Sequence, residues 1–525
     1  MDVNAENPKV PVEELVVGIV GPVGANLSIV QEVIETEFRR VGYTAEKVRI
    51  SSLLHQLADY AHLATIPHDS EFDRIRKHME AGTGLRTKTE QGDVMAMLAI
   101  SQIRQVRNEK HDAEVPEDER ATTPLSRTVY ILRSLKHPDE IRTLKDVYGS
   151  AFIVVSAYAP REERVSTLAE VLASSEQDSD IEKYRSKAEE LIETDEQEEG
   201  QKLGQDVSDA FPLADLFVDA RSKESIEKSL RRFIEALFGY LYHTPTRDEF
   251  GMYLAQAAAM RSSDLSRQVG AAITTEEGDV IALGTNDIPK AYGGLYWCGD
   301  EGDKRDFQLG YDSNVKFKKE IVSEIVGKLK SADWLAEDKS GKTPQELVDD
   351  LLDKENDVLG DAQITNLLEY GRSVHAEMAA LTDAAKRGLP VQGATLYTTT
   401  FPCHLCARHI IAAGISRVVY VQPYPKSQTK RLYADSVAID PIAEIKDRIH
   451  FEPFVGVAPK RYRNLFEYQG KRKDSSTGKT KEWIAGSSAP KIRIFVASYL
   501  LIEEMIVGEL LPGLLSDCDI QFAKS

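Results

Sequence analysis

At 525 residues the chain is too long for one ordinary hydrophobic core, so its length predicts two or more domains. Hydrophobic residues make up 42% and charged residues 29%, as in soluble globular proteins, and no apolar run is long enough to span a bilayer. The net charge of −20 argues against a protein that binds nucleic-acid backbones over a broad basic surface. The chain has four cysteines and no signal-peptide pattern in residues 1–6, so we expect a cytoplasmic protein without membrane contact.

Strands and helices alternate through the first half of the chain. This pattern predicts a mainly parallel α/β sheet domain over 1–243, with strands at 14–20, 128–135, 151–157 and 214–218 and with helices at 29–41, 138–148 and 226–241 and from 161 onward. The segment 174–205 is acidic and poor in apolar residues. It is predicted to be a mobile lid or a solvated helix rather than part of the core.

The turn between the first strand and the first helix is a partial phosphate-binding loop. Measured against G-x-x-x-x-G-K-[ST], Gly21 and Ser28 fit, and Gly24 lies between them, but Asn26 replaces the last glycine and Leu27 the lysine. Without the lysine, phosphoryl transfer would lose a main charge stabiliser, whereas N–H groups at a helix start can still hold phosphates. The turn therefore predicts a nucleotide-binding site without kinase activity, and the alternative is an ordinary strand-to-helix turn.

A second domain is predicted over 244–525, after Thr-Pro-Thr at 244–246. It begins with a helix at 247–261 and a two-stranded hairpin at 269–273 and 280–284. Further strands are predicted at 418–421 and 492–497, and a last helix at 500–510. A charged insertion with two helical stretches occupies about 298–361. Cys298, at its start, is interpreted as a plain buried thiol, the alternative being a further metal ligand.

The centre of the second domain contains two short motifs that together predict a metal site. His375-Ala376-Glu377 is followed 25 residues later by the segment 401–406, which contains Pro402, Cys403 and Cys406. This is the H-x-E and P-C-x-x-C pattern of zinc deaminases. His375, Cys403 and Cys406 would hold one catalytic Zn²⁺ per chain, and three protein ligands leave a position for an activated water.

Glu377 lies close to the predicted ligands without being one of them, so it is predicted to carry protons between the water, the ring nitrogen and the departing amine. A structural zinc site is the first alternative, but such sites usually have four protein ligands. A redox Cys-x-x-Cys pair is the second, but it would leave His375 and Glu377 without a role.

The residues around these motifs resemble the deoxycytidylate deaminase family. The resemblance is carried by the helix and hairpin at 247–284, by Asn286 and by the zinc motif. It implies a cytidine-deaminase fold of the α/β/α type and a substrate pocket formed by Asn286, Arg261, Arg267, Ala376, Tyr420 and Tyr424. In it, Asn286 would contact the sugar, and the arginines would make polar and phosphate-side contacts. Surface ion pairs for the arginines and core packing for the tyrosines are the alternatives, and Ala379 stands where the family commonly has asparagine.

The segment from Arg133 to Glu140, followed by Tyr148-Gly149, resembles the central part of small P-loop nucleotide kinases, with Arg133 near the place of the usual acidic residue. A degenerate P-loop half joined to a deaminase half resembles the bacterial anti-phage deoxycytidine-nucleotide deaminases. This resemblance implies conversion of dCTP or dCMP to dUTP or dUMP, a regulatory nucleotide in the first half, an inhibitory RNA or protein regulator, and a homo-oligomer, with a hexamer suspected. The alternatives are a housekeeping dCMP deaminase, a polynucleotide editor and a binding protein with an inactive zinc centre.

Overall fold

The computed structural model describes residues 14–67, 71–111, 113–197, 203–352, 358–359, 362–424, 426–441, 445–467, 471–492 and 494–523. The backbone forms two compact units. The first comprises residues 1–249 together with 453–525, and the second comprises 250–452. Over the described ranges, none of the helices combines the length and the apolar character that crossing a bilayer requires.

The strands, in chain order, are β1 (Leu15–Val20), β2 (Thr44–Arg49), β3 (Thr128–Leu135), β4 (Phe152–Tyr158), β5 (Leu216–Asp219), β6 (Gly270–Thr274), β7 (Val280–Thr285), β8 (Thr395–Thr400), β9 (Arg417–Gln422), β10 (Val437–Ile439), β11 (Ile449–Pro453) and β12 (Gly456–Val457).

The α-helices, in chain order, are α1 (Leu27–Arg40), α2 (Glu71–Thr89), α3 (Val94–Lys110), α4 (Glu117–Arg120), α5 (Pro138–Tyr148), α6 (Arg161–Ser175), α7 (Arg185–Gln197), α8 (Val207–Ala210), α9 (Lys223–Leu237), α10 (Arg247–Ala259), α11 (Asp306–Leu309), α12 (Ser313–Ser331), α13 (Glu337–Ser340), α14 (Pro344–Leu352), α15 (Ala376–Arg387), α16 (His404–Ala412), α17 (Thr429–Leu432), α18 (Pro459–Phe466), α19 (Val496–Met505) and α20 (Leu511–Asp517). A π-helical turn, Ile506–Leu510, joins the last two.

The first unit is built on a sheet of order β12-β5-β4-β1-β3-β2. All its pairs are parallel except β12 with β5, which is antiparallel. β1 is buried along its whole length, as its unbroken apolar sequence predicts for a strand with helices on both sides. The predicted parallel α/β sheet is confirmed, and the structure adds β2, which the sequence pattern did not indicate.

The C-terminal segment belongs to this first unit, which differs from the predicted division at residue 244. The fully buried guanidinium of Arg107 bonds to Glu14 (3.0 Å) at the start of β1 and to Glu503 (2.9 Å) in α19. In the same unit Arg461 of α18 pairs with the buried carboxylate of Asp215 at 3.0 Å. A buried charge is costly without a partner, so these pairs fix 453–525 to the first sheet.

Two further expectations for the first unit are wrong. The predicted strand 492–497 is not formed over its last two residues, because α19 begins at Val496. The acidic segment 174–205 contributes to the core rather than avoiding it: Ala188, Leu191 and Ile192 of α7 are fully buried against α6. These residues follow helical i, i+3, i+4 spacing, and the surrounding charges occupy the other face.

The second unit contains a sheet of order β10-β11-β9-β8-β6-β7. β6 pairs antiparallel with β7 and β8, whereas β8 pairs parallel with β9. The predicted hairpin is therefore confirmed, and so are the insertion helices α12 and α14, which share a small core of their own.

Helices cover both faces of this sheet. A Cβ on Gly270 would lie 1.9 Å from the carbonyl oxygen of Ala255 in α10, and one on Gly284 would lie 2.0 Å from that of Ala376 in α15. Gly284 is the cross-strand partner of Ala271, the residue after Gly270. Because neighbouring residues of a strand point to opposite faces, α10 and α15 lie on opposite sides of the sheet. This is the α/β/α arrangement predicted for the second domain.

Candidate active site

His375, Cys403 and Cys406 come together at the starts of two helices in the second unit. The Nδ1 atom of His375 lies 3.3 Å from the Cys403 sulfur and 3.4 Å from the Cys406 sulfur. His375 is the N-cap of α15, and Cys403 is the N-cap of α16. Two positive helix ends therefore meet at this point, which favours ionised thiols. Pro402 precedes this N-cap and lies just outside α16.

The donor set fits zinc. The three ligand atoms lie within 4.8 Å of one another, and both cysteines are buried. Tetrahedral bonds of about 2.3 Å to sulfur and about 2.05 Å to nitrogen would separate sulfur from nitrogen by about 3.5 Å, close to the distances observed. Among the described residues, these three form a group of histidine and cysteine side chains close enough together to share one metal ion. Cys298 lies outside it and is exposed, so the prediction that its thiol is buried is wrong.

Glu377 lies beside this donor set but is not part of it. Its side chain is only 4% exposed and interacts with Cys406. Burial raises the pKa of this carboxyl to about 7, and the nearby Cys403 adds to the effect. A carboxyl with a pKa near neutrality can both accept and return a proton, which suits general acid–base chemistry.

One of the two cysteines, Cys403, is held in the form that binds metal, whereas its hydrogen bond raises the pKa of Cys406. A hydrogen bond from the Cys406 thiol lowers the pKa of Cys403 to about 4, and the bond to Cys403 raises the pKa of His375 to about 9. Cys403 is thus an ionised thiolate at neutral pH, the state in which cysteine is a metal ligand.

Gly284 determines how close α15 can approach the sheet. A Cβ at this position would lie 2.0 Å from the Ala376 carbonyl oxygen and 2.4 Å from the Ala380 amide nitrogen. Both are backbone atoms of the helix that begins at His375 and contains Glu377. A side chain here would displace the backbone that positions a predicted zinc ligand and the predicted proton carrier.

We therefore expect Gly284→Ala to lower the melting temperature, the zinc content and any activity of the site together. The overpacking cost is about 1–3 kcal/mol. The matched control is Gly327→Ala in α12, where an added Cβ meets nothing within 4 Å. Because alanine favours helices over glycine by about 1 kcal/mol, the control should be as stable as the parent or more so. Differential scanning calorimetry and metal analysis test this, and equal behaviour of the two variants would contradict it.

The structure places Asn286 at the entrance to β6. Its Oδ1 accepts a hydrogen bond from the Val269 amide (2.7 Å), and its Nδ2 donates to the Arg267 carbonyl (2.7 Å). The side chain is buried. Asn286 therefore orders the segment that leads into β6, and a role in contacting a sugar stays a prediction.

Arg261 stacks on Trp297, which the sequence analysis did not single out. The guanidinium carbon lies 3.6 Å from the ring centroid, and Nη2 donates to the carbonyls of Leu295 (3.3 Å) and Tyr296 (3.2 Å). Trp297 is 59% exposed. The only sequence signal was a tryptophan in a polar segment after the hairpin, which is weak by itself.

The remaining predicted pocket residues divide into two groups. Arg267 is exposed and lies close enough to Tyr424 to affect its pKa, which burial and the nearby Cys403 raise. Tyr420, in contrast, packs edge-on against Phe401 and donates to Asp440 at 2.7 Å. Ala376 is fully buried as the first residue of α15. Tyr424 thus lies near Cys403 of the donor set and Arg267 lies near Tyr424, whereas Tyr420 is a packing residue in this structure.

Comparison with known proteins agrees with this site. Residues 245–422 match the family described as the cytidine and deoxycytidylate deaminase zinc-binding region. This stretch contains the donor set, Glu377 and every predicted pocket residue except Tyr424.

Individual relatives are similar over limited stretches. ComE operon protein 2 of Bacillus subtilis is 45% identical over 53 residues, which is 10% of this chain and 28% of that protein. Deoxycytidylate deaminase of Enterobacteria phage T4 is 42% identical over 55 residues, again 10% of this chain and 28% of the relative. The chain thus spans less than a third of the length of these two relatives.

A longer match is to the probable deoxycytidylate deaminase of Drosophila melanogaster, 27% identical over 37% of this chain and 70% of that protein. Among solved structures, the apo dCMP deaminase from the cyanophage S-TIM5 is 16% identical and covers 40% of this chain and 100% of its own, with a TM-score of 0.21. A score this low does not establish a shared fold.

The predicted nucleotide-binding turn lies in the first unit. Gly21 begins it, Gly24 adopts a left-handed φ of +84°, and Asn26 caps α1 by accepting from the Ile29 amide at 3.4 Å. The Ser28 hydroxyl accepts from the Arg133 guanidinium at 3.0 Å. Nucleotide binding by this turn stays a prediction.

Proposed function

We propose that the chain hydrolytically deaminates deoxycytidine nucleotides, converting dCMP or dCTP to dUMP or dUTP. The observation that supports this most directly is the buried Glu377 beside the His375, Cys403 and Cys406 donor set. A structural zinc site has no need for an isolated, buried carboxyl next to its ligands, whereas hydrolytic deamination requires a group that moves protons.

The proposed chemistry replaces the exocyclic amine of cytosine with oxygen, consuming one water and releasing ammonia. Bound to the three donors, Zn²⁺ would supply an activated water at neutral pH. Glu377 accepts a proton from the attacking water and delivers it to the ring nitrogen, and it then transfers a proton to the departing amine. Burial keeps bulk water from competing with these transfers.

Free deoxynucleotides are proposed over polynucleotides as substrates. The net charge of −20 opposes binding to a long phosphate backbone, and several similar proteins are named deoxycytidylate deaminases. The proposal does not choose between dCMP and dCTP.

We expect purified protein to convert dCMP, dCTP or both, and to leave cytosine in a single-stranded oligonucleotide unchanged. Chromatography of each reaction, run in parallel with the Glu377→Gln protein, separates this activity from a contaminating deaminase. Conversion of the oligonucleotide without conversion of any free nucleotide would overturn the proposed substrate class.

For the biological role we propose depletion of deoxycytidine nucleotides during phage infection, with the first unit and an RNA or protein regulator controlling the activity of a homo-oligomer. This rests on the combination of a nucleotide-kinase-like half with a deaminase half. The alternative is a housekeeping dCMP deaminase that supplies dUMP for thymidylate synthesis. Phage plating and dCTP pools in cells expressing the parent or Glu377→Gln distinguish them, since only the first role predicts protection that disappears with the glutamate.

A further inference from the structure

A cavity of about 490 Å³ lies in the first unit, at the carboxyl ends of β1, β2 and β3. The connection from β1 leads toward β2 at one edge of the sheet, and the connection from β3 crosses β1 to reach β4. The direction in which successive strands are added to the sheet therefore reverses beside β1. In open α/β sheets, ligands bind in the crevice outside the carboxyl ends of the strands at such a reversal, and the volume is that of a small-molecule site.

The strand register brings two arginines together at the cavity. Arg49 ends β2 and is the direct cross-strand neighbour of Arg133 in β3. Arg74 of α2 lines the same cavity. Burial, with the charges of Arg74 and Arg133 adding to it, lowers the pKa of Arg49 to about 10, and burial and Arg74 also lower the pKa of Arg133. Positive charge is thus concentrated here in a chain whose net charge is −20.

The other basic residues of the cavity are already paired. Arg74 bonds to Glu71 at 2.6 Å, Arg86 to Glu140 at 3.3 Å, and Lys136 to Asp195 at 3.2 Å. By contrast, within the part of the chain that the structure describes, Arg133 bonds only to the Ser28 hydroxyl, and Arg49 makes no hydrogen bond.

Among the described residues neither Arg49 nor Arg133 has a hydrogen bond to a carboxylate, and Glu71, whose charge reaches both, is already bonded to Arg74. The pair therefore destabilises the folded chain, because like charges repel more strongly when they are partly removed from water. An arrangement that costs stability in this way is typical of a binding site.

The backbone of the turn is a poor match to a conventional phosphate cradle, because several of its amides are already bonded. Val23 donates to the Asp195 carboxylate (2.8 Å), Ala25 to the Pro22 carbonyl (3.2 Å) and Leu27 to the Ala25 carbonyl (2.8 Å). Asn26 satisfies the amide of Ile29. An anion in this cavity would therefore be bound by guanidinium groups, which match phosphate oxygens with paired N–H donors.

Ser134 also lines the cavity, and its backbone has an unusual conformation. It has a φ of +75°, uncommon for a residue other than glycine, and the register between β1 and β3 shifts at this residue. Such a bulge changes the direction of the neighbouring side chains, among them Arg133.

Part of the cavity lining is apolar. Ile75 and Met79 of α2 and Leu168 of α6 form this part, together with Leu54. A flexible methionine beside branched side chains suits a flat ring. The cavity thus has a cationic end at the strand termini and an apolar side, which fits a phosphorylated molecule that carries an aromatic base.

We propose that this cavity binds a nucleoside triphosphate without Mg²⁺, with Arg49 and Arg133 on the phosphates and the base against the α2–α6 wall. The groups that would hold Mg²⁺ in a nucleotide-hydrolysing site are already engaged or replaced here. The Ser28 hydroxyl is bonded to Arg133, Glu71 is bonded to Arg74, and β3 carries Arg133 near its end rather than an aspartate. Arginine would replace the metal as the charge partner of the phosphates, so the site binds and does not hydrolyse.

The test is calorimetric titration of the full chain with ATP, dTTP and inorganic triphosphate in buffer without Mg²⁺. These probes lack cytosine and so avoid the proposed deaminase substrates. We expect at least one nucleotide to bind more tightly than inorganic triphosphate, with no gain when Mg²⁺ is added. Arg49→Met and Arg133→Met should each weaken this binding by about tenfold or more, since one charge-assisted pair is removed. The control is Arg142→Met, an exposed arginine of α5, which should bind as the parent does.

Thermal unfolding gives a second readout that separates binding from a structural role. Without ligand, Arg49→Met should melt at the same temperature as the parent or higher, because the repulsion with Arg133 is relieved. With nucleotide, it should lose the rise in melting temperature that the parent shows. Absence of nucleotide binding, a requirement for Mg²⁺, tighter binding of inorganic triphosphate, or parental affinity in both variants would each overturn the proposal.

Discussion

Replacing Glu377 with glutamine should abolish deamination while zinc stays bound. The amide has almost the same shape as the carboxyl but cannot accept a proton, so each proton transfer assigned to this residue is lost. General acid–base contributions of about 10²–10⁴-fold set the minimum expected loss of kcat. The donor set does not include Glu377, so metal analysis should still find one zinc per chain.

Asp383→Asn is the matched control, because it removes a carboxylate from the same helix. Asp383 lies one and a half turns farther along α15, on its exposed side, where it pairs with Lys386 and Arg387. We expect this variant to keep parental kcat and zinc content. Substantial turnover by Glu377→Gln, or an equal loss in Asp383→Asn, would contradict the role assigned to Glu377.

Cys406→Ser should remove both the metal and the activity. Serine is close in size to cysteine, but its hydroxyl does not ionise near neutral pH, so one of the three ligands is lost. Zinc should fall well below one per chain, and the melting temperature should fall with it, because metal bound only by the folded state stabilises that state. Metal analysis, calorimetry and turnover measured on one preparation test the three effects together.

Cys298→Ser provides the comparison, since it makes the same chemical change at an exposed cysteine outside the donor set. It should keep zinc, stability and turnover. Loss of zinc in Cys298→Ser would make this residue a metal ligand and would revive the alternative that the sequence left open. Retention of zinc in Cys406→Ser would show that the donor set has been assigned incorrectly.

The zinc site could be predicted from the sequence because short spacings along the chain determine most of it. Glu377 is two residues from His375, and Cys406 is one helical turn from Cys403, so each pair is placed by local geometry. Only the approach of the His375–Glu377 pair to the Cys403–Cys406 pair depends on the tertiary fold, and the zinc-deaminase motif implied that the two pairs meet. The parallel sheet of the first unit was predictable for a similar reason, since its strands are continuous apolar runs separated by helices.

The features that the sequence did not reveal depend on contacts between distant residues. The membership of 453–525 in the first unit rests on Arg107 with Glu503 and on Asp215 with Arg461, pairs that no local pattern indicates. Arg49 and Arg133 lie side by side because of the register in which β2 pairs with β3. The sequence of β2 mixes polar, charged and apolar residues, so it does not predict a strand. The core contribution of α7 had a local signal in its apolar spacing, but the high acidic content of the segment obscured it.

The interrupted first unit also constrains how the protein is made. All residues of the second unit leave the ribosome before the segment that contains β12, which covers the edge of β5 in the finished sheet. During synthesis the buried Arg107 and Asp215 each lack one ion-pair partner until Glu503 and Arg461 emerge, 396 and 246 positions farther along the chain. A nascent chain at that stage has an open sheet edge and unmatched charges, a state prone to mispairing. Cells should therefore tolerate slow or truncated translation of this gene poorly, whether or not its zinc site is intact.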